Sequence, residues 1–245
     1  MSDPIISVIA TAVHTEFWQQ LHANLSNGNT IPFEIVFVGN VRPTFDLPEN
    51  FIYICSGAKP VQCLETACRN ARGEFVMIIA DDHLPPPQML NTMYSYVRRM
   101  INSKCVVVAR YMDDIEDWIR DELLSFYVHG ATFIEVSPVV GVNTVLRRSV
   151  WTELGGLDKR FISVKSDLDM QMRFYEAGGH PFIVPTCIVR ERSHDTRDRL
   201  LDASGDTDLE TLRTLWIKDD IISRQRLGSV QSFTSDEIPI VRERN

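Results

Sequence analysis

ETACRNARGEFVMIIADDHLPPP, residues 65–87, compresses a helix end, a buried strand and a pair of acids into one run. A helical segment over residues 61–72 stops at Gly73, the residue that most readily closes a helix. Residues 75–80 follow without polar alternation, the pattern of a strand covered on both faces in a mostly parallel sheet. Asp81, Asp82 and His83 then stand at the carboxyl end of that strand, and Pro85, Pro86 and Pro87 open a helix running to about residue 101. In open α/β sheets ligands collect outside the carboxyl ends of the strands, so these polar residues stand where chemistry is expected.

Upstream the same unit recurs. Residues 5–10 read as a strand, 11–15 as a loop and 16–25 as an amphipathic helix. Strands follow at 34–38, closed by Gly39 and Asn40, and at 51–55, with Pro43 and Pro48 marking the loop between them. Downstream, 105–110 reads as a strand and 113–129 as a helix with Trp118, Leu123, Leu124 and Tyr127 on its apolar face. A strand at 139–146, a helix at 148–154 stopped by Gly155 and Gly156, a helix at 166–177 stopped by Gly178 and Gly179, and a strand at 181–189 complete the pattern. Such alternation predicts an α/β fold with a mostly parallel, Rossmann-like central sheet flanked by helices. Beyond residue 190 charge density rises, with one further helix at 209–221, so the tail reads as a loosely packed lid or arm with a mobile end from about residue 232.

The composition excludes several classes. With 25 Lys+Arg against 33 Asp+Glu, the net charge of −8 gives no field to attract a polyanion, and no basic run supplies one locally, so no nucleic-acid partner is expected. At 44% hydrophobic residues the chain can bury a large core. No apolar stretch approaches a membrane span, and the start, acidic at Asp3, has no leader pattern. The five cysteines are scattered and show no metal-ligand spacing, which reads as reduced thiols of a cytoplasmic protein.

Two constellations carry the chemistry. Adjacent carboxylates at a strand end raise one another's proton affinity unless a cation sits between them, and Asp81, Asp82 and His83 offer oxygen and imidazole ligands for Mn²⁺ or Mg²⁺. Capping of the following helix is their structural alternative. In SDLDMQMR, residues 166–173, Ser166 with Asp169 fits a capping box and Asp169 with Arg173 an i, i+4 ion pair. Asp167 is left over, a carboxylate in a first helical turn that suits a general base.

In order and separation, the β-α-β start, ETACRNARGEFVMIIADDHLPP (65–86), VNTVLRRSVWTELGGLDKRF (142–161) and SDLDMQMRFYEAGGHPFIVP (166–185) resemble a family 2 glycosyltransferase of the GT-A fold over about residues 5–195. The resemblance implies inverting transfer of a sugar from a nucleotide diphosphate sugar, a UDP-sugar being favoured, to an acceptor hydroxyl of a glycan or lipid-linked acceptor. It divides the chain into a GT-A domain at 1–195, with a nucleotide-sugar half at 1–100 and an acceptor half at 101–195, and an extension at 196–245. Residue by residue it places the metal on Asp81 and Asp82, with His83 and His194 as further candidates, and the base on Asp167, where Ser166 replaces the usual Glu. If the family's Asp-Ala-Asp-Asp lies on residues 79–82, Ile79 has replaced the first acid; if the motif is 81–83, His83 has replaced the last. Thr11, Ala12, Val13 and Asn40 fall on the nucleotide side, where the family's usual acids after the second strand are absent, and Lys59 and Arg69 are candidate phosphate contacts. Gly156, Asp169 and Trp151 fall on the acceptor side, although core packing is the plainer fate of Trp151. The implied setting is cytoplasmic, at the periphery of a membrane-bound acceptor.

Rival classes fare worse on the residues. TAVHTEFWQQ, residues 11–20, lacks the glycines of a nucleotidyltransferase loop or a dinucleotide-binding turn. A non-catalytic GT-A module used for binding or assembly is the remaining alternative, motivated by the missing acids at Ile79 and Gly39.

Overall fold

The computed structural model describes residues 3–100, 104–113, 119–120, 127–128, 131–132, 142–192, 199–219, 221–223 and 225–241. Its elements are β1 (Ile6–Thr11), a short 3-10 turn (Thr15–Phe17), α1 (Trp18–Ser26), β2 (Phe33–Gly39), β3 (Phe51–Cys55), α2 (Pro60–Asn70), β4 (Phe75–Ile78), β5 (His83–Leu84) and α3 (Met89–Val97). Then come β6 (Cys105–Asp113), β7 (Ile119–Arg120), β8 (Tyr127–Val128), β9 (Ala131–Thr132), β10 (Thr144–Arg147), α4 (Arg148–Glu153), α5 (Ser166–Glu176), β11 (His180–Glu191), α6 (Arg199–Trp216), β12 (Ile217–Lys218) and β13 (Ile221–Ile222).

The central sheet runs β3-β2-β1-β4-β10-β6-β11-β5, with β7 added beside β6. Strands β1 to β4 pair in parallel, as do β6 and β11, while β10 runs against both β4 and β6. The apolar runs make this arrangement because alternate residues go to opposite faces. Ile9, Val36, Val38, Val76 and Ile78 join α2, α4, α5 and α6 in one core, whereas Val8, Ala10, Ile35, Phe37, Phe75 and Met77 join α1 and α3 in the other. Two cores on one sheet explain why these strands show no polar face.

Gly39 shows how tightly the carboxyl edge is built. A Cβ there would lie 1.8 Å from the carbonyl oxygen of Ala12, so the ends of β1 and β2 approach through backbone alone. Replacing Gly39 with Ala must separate the two strand ends. We expect a loss of at least about 1–3 kcal/mol, typical of overpacking, read as a lower urea midpoint at unchanged slope; an unchanged midpoint would refute the close contact.

Several expectations need correction. The helix after the prolines spans Met89–Val97, not 85–101, because residues before a proline are held out of the helical region and Gln88 sits in the left-handed region at φ 60°, while His83–Leu84 pair antiparallel with β11. Within the helix expected at 113–129, the described residues are extended, in β7 and β8; Trp118, Leu123 and Leu124 lie outside the described residues. The last helix spans Arg199–Trp216, not 209–221, and is followed by the small hairpin β12–β13.

The tail is no loose arm. Leu212, Leu215, Trp216, Phe233 and Ile238 are buried in the same core as α2 and α5. The stretch 225–241 returns along α2, whose Gln62 Nε2, Arg69 Nη2 and Asn70 Nδ2 donate to the carbonyls of Glu237, Phe233 and Pro239, each at 2.7 Å. An apolar residue every few positions within a charged sequence suffices once the backbone is held this way.

Candidate active site

The carboxyl edge of the sheet brings together the loop after β1, the end of β2, the start of α2 and the residues after β4. Thr11 Oγ1 donates to the carbonyl of Pro60 at 2.7 Å, and Ala12 N to that of Val38 at 3.0 Å, so Thr11 and Ala12 are built into the frame. Val13, Asn40 and Lys59 are exposed at this edge.

Asp81 is held by the loop it faces. Its Oδ2 accepts from Val13 N at 2.7 Å, His14 N at 2.6 Å and Trp18 Nε1 at 3.0 Å. Trp18 is itself enclosed by Phe37, Phe51 and Tyr53, so the donor is fixed. Burial raises the Asp81 pKa above the ordinary carboxylate value, against the hydrogen bonds from Trp18 and His14 and the charge of His14; neighbouring Asp82 raises it further. Asp82 is buried beside it, and its carbonyl accepts from Arg192 N at 3.3 Å.

His83 has an internal task. Its Nδ1 lies 3.0 Å from Asn143 Oδ1, only 2% of the residue is exposed, and desolvation lowers its pKa although Asp82 and Asn143 pull the other way. Among the described residues no group of three or more His, Cys, Asp or Glu side chains converges as a metal site. His194 lies outside the described residues. Two adjacent carboxylates are hard oxygen donors of the kind that Mg²⁺ and Mn²⁺ take. Asp81 keeps Oδ1, which makes no hydrogen bond among the described residues, and Asp82 is the adjoining acid.

Ile79, which replaces the first acid if the motif lies on residues 79–82, is 2% exposed and packed in the core with α1 and α3. Arg192, which the sequence reading passed over, sets its guanidinium 4.7 Å from the Phe17 ring centre, next to the loop that Asp81 fixes.

Asp167 sits in the first turn of α5 with part of its surface open, while Ser166, Leu168 and Asp169 on either side are buried. Burial raises its pKa; the Leu168 N–H, donating to Oδ1 at 2.9 Å, and the charge of Lys165 oppose the rise without cancelling it. The capping box does not form. Lys165 is the N-cap, in the left-handed region at φ 63°, and no side chain caps the helix. The Asp169–Arg173 pair does form, at 2.9 Å.

The structure places Trp151 and Asp169, expected on the acceptor side, in buried hydrogen-bonded positions, and Gly156 against Glu65. Trp151 is 2% exposed and its Nε1 donates to Glu65 Oε2 at 2.8 Å. Gly156, at φ 71°, gives way to Glu65, since a Cβ there would come within 2.7 Å of both carboxylate oxygens. Asp169 is wholly buried between Arg173, Trp216 and Arg226. Arg69, a candidate phosphate contact, instead bonds Glu65 Oε1 at 2.8 Å and the carbonyl of Phe233. Arg69 and Asp169 each keep an i, i+4 partner, Glu65 and Arg173, and each adds distant ones that local spacing does not show, as Trp151 does with Glu65.

A mostly parallel sheet with one reversed inner strand, acids after β4 and a carboxylate opening a later helix define the GT-A class of glycosyltransferase fold. The family model described as "Glycosyl transferase family group 2" matches residues 75–226, more than half of the chain, and the chain belongs to that family. Among solved structures, residues 1–349 of S. aureus TarS in complex with UDP-GlcNAc superpose with a TM-score of 0.59 at 13% identity, over 78% of this chain and 59% of that one. TarS 1–349 alone gives 0.58 at 14% identity over 88% and 76% of the two chains, and its complex with UDP gives 0.58 at 12% over 87% and 72%. At these identities the likeness is one of fold. Comparison with curated proteins gave no match. Among the described residues no helix is long and apolar enough to cross a membrane.

Proposed function

We propose that the protein transfers a sugar from a nucleotide diphosphate sugar to an acceptor hydroxyl, inverting the anomeric centre, with Asp167 as the general base. The observation that carries this reading is Asp167 itself. It is a partly open carboxylate at a helix start, with proton affinity raised by burial, flanked by residues all committed to packing. A base of that kind accepts the acceptor's proton as the hydroxyl oxygen attacks the face opposite the leaving group. The donor lies along the carboxyl edge, with its base toward Val13 and Asn40 and its diphosphate toward Lys59, Asp81 and Asp82. Arg192 and Lys59 bring positive charge to that diphosphate. Asp81 and Asp82 are the residues that would hold a Mn²⁺ or Mg²⁺ ion, and such an ion, when bound, offsets the charge of the departing diphosphate.

UDP is the favoured nucleotide in this reading, supported by the UDP-GlcNAc and UDP complexes of TarS, a protein of the same fold. The acceptor is a glycan or a lipid-linked glycan, met on the cytoplasmic side of a membrane the described residues do not cross. Calorimetry with UDP, GDP and dTDP, each with and without Mn²⁺, tests the donor side. Tightest binding of UDP, strengthened by Mn²⁺ and weakened by Asp81→Ala, is expected.

The second reading, a non-catalytic binding module, is favoured by one observation: an Asp81 oxygen already saturated by three donors, beside a buried Ile79 in the place of an acid. Binding of UDP with no effect of Mn²⁺ and no turnover of any nucleotide sugar would select it.

A further inference from the structure

Asp208 is a buried acid that plays no part in the chemistry above. It lies on α6, on the stripe it shares with Leu212 and Leu215, and is 0% exposed. Its Oδ1 accepts from Ile162 N at 2.8 Å, and its Oδ2 from Ser163 N at 2.9 Å and Val164 N at 2.8 Å. Three successive N–H groups aimed at one point form an anion-binding concavity, and here the chain's own carboxylate fills it. Ser163 and Ser204, one turn earlier on α6, also share a hydroxyl hydrogen bond.

These three residues form the entry to α5. Lys165 follows in the left-handed conformation, then Ser166, then Asp167. At its other end α6 reaches the same helix again, where Trp216 Nε1 donates to Asp169 Oδ1 at 2.9 Å. The entry loop is tied to the donor edge as well. The Ile162 carbonyl accepts from Val61 N at 3.1 Å, and the preceding Pro60 carbonyl accepts from Thr11 Oγ1 at 2.7 Å. A continuous set of hydrogen bonds therefore runs from α6 through the entry loop to the start of α2 and the loop after β1.

We infer that α6 sets the position of Asp167 against the donor edge, with Asp208 as the positioning residue. The inference rests on the reading of Asp167 as the base. Asp208 touches neither donor nor acceptor; it fixes the loop from which the base projects, and so the distance between base and anomeric carbon. Misplacement of a reacting group by about 1 Å costs on the order of 100-fold in rate.

Asp208→Asn is the discriminating variant. It turns one acceptor oxygen into an NH₂ group that opposes a backbone N–H, leaving the side chain's size unchanged. For the enzyme with Mn²⁺ and whichever of UDP-N-acetylglucosamine, UDP-glucose or GDP-mannose the native protein turns over fastest, kcat is expected to fall about 10–100-fold. Affinity for UDP is expected to change far less than kcat, because Asp208 makes no hydrogen bond to Val13, His14 or Asp81 and reaches that loop only through several intervening bonds. A readout without turnover accompanies it: the Asp167 carboxyl carbon, followed by NMR in both proteins, titrates above the ordinary carboxylate value in the native chain and closer to it once the loop loosens and admits water. If Asp208→Asn does not fold, Asp208→Glu replaces it, pushing both acceptors one methylene into the loop, with the same kcat loss expected. Folded protein with native kcat and an unmoved Asp167 titration, in whichever variant folds, overturns the positioning role. A fully active Asp167→Asn protein takes down the base reading and this inference together, whereas an inactive Asp167→Asn beside a fully active Asp208 variant takes down the inference alone.

Discussion

Asp167→Asn is expected to abolish transfer, by about 10²–10⁴-fold in kcat, the usual contribution of a positioned base, while UDP binding measured by calorimetry is unchanged. The amide keeps the shape of the carboxyl and can still accept from the Leu168 N–H. What it loses is the capacity to take a proton. Stability sharpens the test. A carboxyl whose folded pKa is raised by burial favours the protonated form, so its charged form costs stability as pH rises through the unfolded value of 3.8 and beyond. Removing that charge should leave the protein at least as stable at neutral pH, the pattern expected when a residue is kept for function and not for the fold. Lower stability together with native kcat would reverse the assignment.

The same raised pKa predicts the form of the native pH profile. The base works only when deprotonated, so kcat must fall as pH drops through the folded pKa of Asp167, at a pH above 3.8. Asp81 is raised for the same reason, and its protonation would weaken donor binding, appearing in kcat/KM. An acid limb in kcat that survives Asp167→Asn would assign the titration elsewhere.

The first half of the fold was legible because its signal is redundant. Strands β1 to β4 are apolar on both faces and alternate with helices, so a parallel sheet is the economical solution, and Phe51–Cys55 appears at its expected bounds. Asp81, Asp82 and Asp167 were legible as candidates because a carboxylate at a strand or helix end stands out against an apolar run. The partners of the other polar residues were not legible. Asp169 was readable as the i, i+4 mate of Arg173, yet Trp216 and Arg226, 47 and 57 residues away, bind its second oxygen. Trp151 could have faced a sugar by local criteria, but Glu65, 86 residues earlier, claims its indole N–H. Local spacing carries information about a neighbour one turn away and none about a neighbour delivered by the sheet. A signal did exist for Asp208: an acid at i with leucines at i+4 and i+7 lies on an apolar stripe, and a carboxylate there requires internal donors.

Asp169→Ala should produce the largest loss of stability among these variants, about 3–5 kcal/mol, the cost of stripping one partner from a buried ion pair. The carboxylate joins three elements: Arg173 on α5, Trp216 at the end of α6, and Arg226 in the returning tail. Arg226 is 5% exposed by side chain and also pairs with Asp158, itself held by Arg160. Without Asp169, Arg173 keeps the carbonyls of Leu154 and Gly156, and Arg226 keeps Asp158, but the indole N–H and two buried guanidinium edges lose their acceptor. For a chain of this size the loss corresponds to a melting point lower by about 6–20 °C. Removing Arg226 as Arg226→Met should cost less, because each acid retains an arginine, Asp158 with Arg160 and Asp169 with Arg173. Asp158 adds a pH signature. Burial works to raise its pKa, but hydrogen bonds from Arg160, Arg226 and Gln231 outweigh it and hold the folded carboxyl well below the usual range. The stability it contributes is therefore present above the unfolded pKa and lost as pH falls through the folded one. A native-like melting point with 225–241 as protease-resistant as in the native chain would mean that the tail is not fastened through this acid; faster proteolysis of 225–241 at an unchanged melting point would mean that the clasp holds the tail alone and not α5.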